Sequence, residues 1–241
     1  MEGEEVKKPM NIMNKIINIF VSPKEAFEAI NEKPTWFVPF IIMTVFILFM
    51  MFMTMDAQLN DQLKALQSRD LTEQQMEAAQ SGIQGPFRYI GLVAAPIGMI
   101  IVNLILAGIV LLASNLMISG ESVSYKKIFS LLMWSGLVGI ISVLITTFLA
   151  IQKGTMTGVS MDLSILLPAV PAGESKTWLY YLLARFDLFV FWQMILWVIG
   201  LSVMYKTTIN KAMKPVITLW LIWVVAAVGL GSVAGKFIPG M

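Results

Sequence analysis

The sequence contains no cysteine and no histidine among its 241 residues. Without cysteine the chain has no disulfide, no thiolate nucleophile and no cysteine-based metal site. Without histidine it lacks the side chain that most often acts as a general base or as a metal ligand. No catalytic motif stands out among the remaining residue types. We therefore expect a protein that is not an enzyme and that carries no cofactor and no metal.

Charged residues are also scarce. They make up 13% of the chain, against 57% for apolar residues, whereas about a quarter of the residues of soluble domains are charged. The net charge of +2 is too small to indicate nucleic-acid binding. No polar stretch is long enough to fold alone, so the composition predicts a single integral membrane unit.

Five long apolar stretches predict the fold, because a bilayer-crossing helix needs about 20 apolar residues. We expect an all-α polytopic membrane protein, a five-helix transmembrane bundle with short amphipathic helices at the N-terminus and in the first external loop. The expected spans cover residues 36–55, 89–118, 128–151, 185–205 and 215–235. The second is long enough that Pro96 should break or kink it, unless the helix tilts strongly.

The N-terminal residues 1–35 predict two short helices. Apolar side chains recur there at helical spacing between lysines and asparagines, a pattern typical of a helix that lies in the membrane interface. These apolar positions are Ile12, Ile16, Ile19 and Phe20. Ser22 and Glu25 match a capping box for a second helix, with Pro23 at its first position.

Two further polar segments lie between the expected spans. The external segment 56–86 predicts two short helices outside the membrane, with a capping box at Asp70 and Glu73 and a stop at Gly82. The segment 153–178 holds the sequence SILLPAVPAG, which is too short to span and contains two prolines. It is expected to dip into the interface or to form a packed loop.

The placement of lysine and arginine predicts the orientation. Segments 1–35, 121–127 and 206–214 hold ten lysines, and the other side holds seven basic residues. The last of these loops carries three lysines and no acid. We therefore expect a multi-pass protein of the cytoplasmic (inner) cell membrane, with its N-terminus cytoplasmic and its C-terminus external.

Polar side chains at membrane depth are costly and point to function. They are Asn103, Asn115, Arg185, Asp187 and Gln193. They could line a polar path or grip a partner helix. Alternatively, Arg185 and Asp187 pair locally at headgroup level and the amides bond between neighbouring helices. We favour this second, structural role.

Small residues form a ladder on the fifth span. Ala227, Gly231 and Gly235 are four residues apart, a spacing that permits close approach of another helix. The ladder is either a face for a partner or a second copy, or internal packing. With the acidic external segment 56–86, it is the candidate contact surface for a partner protein.

Three segments resemble the bacterial branch of the YIP domain family, five-span membrane proteins related to the eukaryotic Rab-interacting Yip proteins. They are FVSPKEAFEAINEKPTW, GESVSYKKIFSLLMWSG and FWQMILWVIGLSVMYKTTINKAMKPVITLWL. The family motif S-P-x-x-x-F is matched by Ser22, Pro23 and Phe27. A second motif, W-x-x-x-L-x-x-x-G followed by lysine and alanine, is matched by Trp192, Leu196, Gly200, Lys211 and Ala212.

The resemblance implies a cytoplasmic segment, 1–35, and a YIP-like five-span domain, 36–241. The chain departs from the family at 136–138, where a proline common in the third span is missing. Some bacterial members look like accessory proteins of ABC-type export systems. We therefore expect an accessory or scaffolding protein of a transport or stress-response complex, in contact with lipid and with an ABC-type transporter or a second copy. The rival hypothesis is a small transporter or channel with a polar path between spans two and four.

A topology reporter fused after Lys211 should report a cytoplasmic location, and one fused after Met241 an external location, because the expected fifth span separates the two positions. Reporter activity in intact cells measures this. Two fusions that report the same side would show that a span has been miscounted.

Overall fold

The structure, a computed structural model, describes residues 10–67, 71–85, 89–119, 121–168, 170 and 175–237, and the side chains of 234–237 lie outside this description. In the described residues the chain forms eleven α-helices and no β-strand, so the predicted all-α class is confirmed. The helices are α1 Ile12–Val21, α2 Pro23–Glu32, α3 Phe37–Met53, α4 Met55–Gln67, α5 Glu73–Gln84, α6 Ile90–Met117, α7 Tyr125–Ser135, α8 Gly139–Lys153, α9 Trp178–Leu183, α10 Leu188–Met204 and α11 Ile209–Phe237.

Apolar helices coincide with all five predicted spans, namely α3, α6, α7 with α8, α10 and α11. Three of these units are long and apolar enough to cross a bilayer: α6, the continuous pair α7–α8, and α11. A fourth is present if α3 and α4, which are bent by 57° at Thr54, count as one span. α10 has 17 residues, the lower end of the roughly 17–25 that a span requires. The chain is a membrane protein with several apolar helices, and its five-span count stays a prediction.

One prediction about the spans is wrong. The fourth span was expected from residue 185, but the chain turns after α9 and α10 begins only at Leu188. Asp187 fixes that start, because its Oδ1 accepts hydrogen bonds from the backbone N–H groups of Phe189 (2.7 Å) and Val190 (3.0 Å). In the second span α6 is continuous through Pro96, which excludes the break among the predicted alternatives. A kink or a tilt remains compatible with that helix.

The capping box predicted at Ser22 is also wrong. Ser22 does precede Pro23 at the start of α2, but its side chain makes no capping hydrogen bond. The same residue ends α1, and its backbone N–H donates to the carbonyl of Asn18. Ser22 both ends α1 and begins α2, so its backbone cannot take the conformation preferred at a helix end and the one preferred at a helix start at the same time. Glu25 instead accepts a hydrogen bond from the Asn18 amide at 3.4 Å.

The segment 56–86, which is predicted to be external, forms the two predicted helices, α4 and α5, with different ends. α5 begins after Thr72, whose hydroxyl and the side chain of Gln75 form a reciprocal capping box. The box predicted at Asp70 and Glu73 is therefore displaced by two residues, and Asp70 itself lies outside the described residues. The helix continues past Gly82, so the predicted stop is wrong as well.

The third span, formed by α7 and α8, lies at the centre of the bundle and contacts α3, α6 and α10. Trp134 is fully buried there, and its indole N–H donates to the backbone carbonyl of Thr35 at 2.6 Å. This bond fixes the centre of the bundle to the entry of the first span. A short 3₁₀ turn, Gly136–Val138, joins α7 and α8. The family proline is missing at this same turn, so the helix is irregular there without it.

Contacts at the two ends of the bundle agree with the prediction of which loops share a side of the membrane. At one end, Lys206 forms an ion pair of 2.9 Å with Glu121, which joins two of the predicted cytoplasmic segments. At the other end, Asp61 of α4 accepts hydrogen bonds from the hydroxyl of Thr155 and from two backbone N–H groups of the following turn. These bonds join two of the predicted external segments. The absolute orientation stays a prediction.

The N-terminal helices belong to the same core as the apolar helices. Ala26, Phe27 and Ile30 of α2 are fully buried, and α2 contacts both α10 and α7. This close packing depends on Gly200 of α10. A methyl group on Gly200 would overlap Cδ1 of the buried Leu131 and would lie 3.3 Å from Cδ1 of Phe27. The three helices therefore meet at a point where only a hydrogen atom fits.

Gly200→Ala should lower the free energy of unfolding by about 1–3 kcal/mol, because an extra methyl in a filled core forces its neighbours from their preferred positions. Thermal unfolding of the detergent-solubilised protein measures this. Gly229→Ala is the matched control on α11, where a methyl group meets nothing within 4 Å. Equal midpoints for both variants would contradict the close packing described here.

Candidate functional site

The residues of the two family motifs, which lie far apart in the sequence, come together where α2 meets α10. Phe27 of the first motif packs beside Gly200 of the second. Leu196, one helical turn before Gly200, is buried in the same core. The ring of Trp192 makes an edge-to-face contact with Phe20 of α1, with centroids 6.0 Å apart. The motifs therefore mark a structural junction between the N-terminal helices and α10.

An open groove borders this junction. It has a volume of about 870 Å³ and lies between α2, α10 and the turn that leads into α11. Its lining residues are Ser22, Pro23, Lys24, Glu25, Glu28, Asn31, Glu32, Ile199, Ser202, Val203, Lys206, Thr207, Thr208 and Ile209. We call it the α2–α10 groove. The motif residues Ser22 and Pro23 stand at its edge, whereas Lys211 and Ala212 do not line it.

The α2 side of the groove is acidic. Glu25, Glu28 and Glu32 are spaced so that they share one face of the helix. The carbonyl oxygen of the Asn31 side chain is buried and has no hydrogen-bond partner among the described residues. Across the groove, Lys206 is already paired with Glu121. Lys24 also lines the groove, so three carboxylates stand against one lysine that has no ion pair among the described residues, and the groove suits a basic segment.

The sequence pattern placed Lys15 on the polar face of α1, but in the structure it lies on the inner side of this helix. Its residue is 6% exposed. Burial lowers the pKa of its amino group; the nearby charge of Lys33 lowers it further, and that of Glu32 acts in the opposite direction. The exposed side of α1 is instead apolar, with Ile12, Met13, Ile17 and Val21 about half or more exposed. That surface fits the predicted position in the membrane interface.

The polar residues predicted at membrane depth have separate local roles. The amide of Asn103 donates to the carbonyl of Met99 in its own helix, at 2.9 Å. Asn115 accepts a hydrogen bond of 2.7 Å from the Tyr205 hydroxyl, which is the predicted bond between neighbouring helices. Asp187 caps α10 as described above. These residues do not form a continuous polar path between the second and fourth spans.

The predicted local pair of Arg185 and Asp187 is wrong. The Asp187 carboxylate is used in the cap of α10, and the Arg185 guanidinium lies over the ring of Trp223, 5.7 Å from its centroid. Neither forms an ion pair within the described residues. Gln193 lies deeper on α10 and faces an apolar cavity between α6, α10 and α11.

The small-residue ladder is at least partly internal packing. A methyl group on Gly231 would lie 2.7 Å from Cδ1 of Tyr181, a residue of α9 in the same chain. Gly231 therefore has a partner within its own fold and is not a free surface for another protein. Ala227 is half-buried. The packing around Gly235 lies outside the described side chains.

Sequence reasoning missed three residues that organise the fold. Trp134 and Lys15 are buried, and Asp61 holds the turn that follows α8, as described above. Of these three, only Trp134 could have been found from the sequence. It lies in the middle of an apolar stretch, and a buried tryptophan needs an acceptor for its indole N–H. No cluster of three or more acidic side chains that could hold a metal occurs in the described part of the chain.

Lys15→Met should raise the thermal midpoint at neutral pH, because the folded protein no longer has to bury a charge. In the parent chain the folded state binds its proton less tightly than the unfolded state does. Stability should therefore rise with pH from the lowered pKa up to the ordinary value of 10.5, and this rise should be smaller in the variant. Thermal unfolding at several pH values measures both effects. Lys24→Met, at an exposed position, is the control; equal behaviour of the two variants would contradict the burial.

The comparison with known protein families agrees with this geometry. The family model of the Yip1 domain matches residues 17–233, a range that contains both motifs, α2, the first four apolar segments and all but the last two residues of the fifth. No curated protein and no solved structure matches the chain. Assignment to the bacterial branch stays a prediction. The chain belongs to the Yip1 domain family.

Proposed function

We propose that this protein is a non-enzymatic accessory or scaffolding subunit of the cytoplasmic membrane, and that it binds a transport complex of the ABC export type or a stress-response complex. The observation that supports the proposal is the α2–α10 groove. It is open and carries three glutamates, and the wall that holds them, α2, is packed against the membrane bundle. The groove has a volume of about 870 Å³.

The surface expected from sequence combined the fifth-span ladder with the segment 56–86, and the structure bears only on the ladder. With Gly231 packed on Tyr181, the fifth span offers no free small-residue face at that point. The groove instead presents Glu25, Glu28 and Glu32 to solvent, and a basic segment of a partner would complement them. Under the predicted orientation the groove faces the cytoplasm, where such segments of membrane proteins are enriched.

The alternative function, a small transporter or channel, has less support. Such a protein needs polar groups that follow one another across the membrane. Asn103 is bonded within its own helix and Asn115 to Tyr205. Gln193 lines a cavity whose other lining residues are hydrophobic. We therefore place the accessory role first and keep the transporter as the second candidate.

The experiment is purification in mild detergent followed by mass spectrometry, with Glu28→Lys as the test variant. Reversing this charge in the groove should reduce recovery of the partner about tenfold, because attraction becomes repulsion. Glu28→Asp is the matched control, since it keeps the negative charge at the same position of the groove. Both variants should be as abundant as the parent protein.

The outcomes separate the candidates. A transporter subunit that is recovered with the parent and the control, and lost with Glu28→Lys, supports the proposal. Equal recovery with all three proteins would place the contact elsewhere and overturn the role of the groove. A protein that purifies alone and conducts ions in liposomes would favour the channel.

A further inference from the structure

A second concave site lies within the apolar part of the bundle, away from the α2–α10 groove. It has a volume of about 440 Å³ and lies between α6, α10 and α11. Its walls are apolar and aromatic, with Leu106, Trp197 and Trp223 among them. Several wall residues are also exposed on the outside of the bundle, including Val102 and Ile105 at 59% and 60%. We call it the intramembrane cavity; it is open sideways, toward the region that lipid occupies.

One cation stands at the outer end of this cavity without an anionic partner. The Arg185 guanidinium lies over Trp223, which lines the cavity, and in the described residues it has neither an ion pair nor a hydrogen bond. The nearest acid in sequence, Asp187, is used to cap α10. A guanidinium held at this level of a membrane has a natural complement in a phosphate group.

One amide lies deeper in the same cavity. Gln193 is six residues beyond Asp187 on α10, which places it about 9 Å further into the bundle at 1.5 Å per residue. It forms no hydrogen bond to any described residue, and it is the one lining side chain that carries an amide. Cation, amide and apolar wall thus follow one another from the end of the bundle inward. A phospholipid has the same order of groups, with phosphate, ester and acyl chain.

We propose that the intramembrane cavity binds an anionic phospholipid of the surrounding bilayer, with the phosphate on Arg185 and one acyl chain between α6, α10 and α11. Gln193 donates to an ester carbonyl of the bound lipid. The open side between exposed residues of α6 and α11 lets the chain enter laterally from the bilayer. This site is independent of the accessory role proposed for the α2–α10 groove.

The test uses the full-length protein in nanodiscs that contain equal amounts of phosphatidylglycerol and phosphatidylcholine, followed by mild extraction and native mass spectrometry. The parent protein should retain phosphatidylglycerol in preference to phosphatidylcholine. Arg185→Gln should lower that retention about tenfold through the lost charge-assisted bonds. Lys176→Gln is the matched control, because Lys176 is another cation that lies over an aromatic ring, 5.4 Å from the centroid of Tyr180. It should retain lipid like the parent.

A second pair of variants tests the cavity itself. Leu106→Trp fills the cavity and should also lower retention about tenfold, whereas Leu112→Trp, at a position that is 65% exposed on the same helix, should not. Phosphatidylglycerol brominated along its chains should quench the tryptophan fluorescence of the parent more than brominated phosphatidylcholine does, which tests the site without any substitution. Equal retention of the two lipids, equal effects of Arg185→Gln and Lys176→Gln, or equal quenching would each overturn the proposal.

Discussion

The structure depends on the close approach of α2, α7 and α10 at Gly200. In a bilayer, helices gain little from the hydrophobic effect when they associate, so tight packing at small residues carries more of the association energy. Gly200 allows Leu131 and Phe27 to reach the backbone of α10, and no side chain could occupy its place without moving them. At this point α2 is held against a membrane helix by apolar packing.

This junction explains why two short motifs, far apart in the chain, matter together. Phe27 and Gly200 are the two sides of one contact. The Trp134 indole adds a second fixed point, because its bond to the carbonyl of Thr35 sets where the chain leaves α2 and enters α3. Both contacts hold α2 against the bundle, and α2 forms one wall of the α2–α10 groove. Core packing therefore supports this wall of the groove, and a contact surface for a partner requires such support.

Sequence reasoning reached the fold class, the five apolar segments and the polar helices between them, because long uncharged stretches and helical spacing are direct signals of helices in or near a membrane. It could not find the turn before α10, since apolar residues continue up to Arg185 and Asp187 looked like an intramembrane charge when it is a helix cap. It could not assign Gly231, because close packing on Tyr181 and a free partner face share the same spacing. The burial of Lys15 contradicts its residue type and needs tertiary structure to be seen.

Amide hydrogen exchange of the full-length protein in lipid nanodiscs tests directly whether α2 is an integral part of the membrane bundle. The account predicts that the amides around the buried residues Ala26, Phe27 and Ile30 exchange as slowly as those of α7, because they open only when the whole bundle opens. Exchange as fast as that of an unstructured peptide, while α7 stays protected, would show that α2 is not held at Gly200 and would contradict the account.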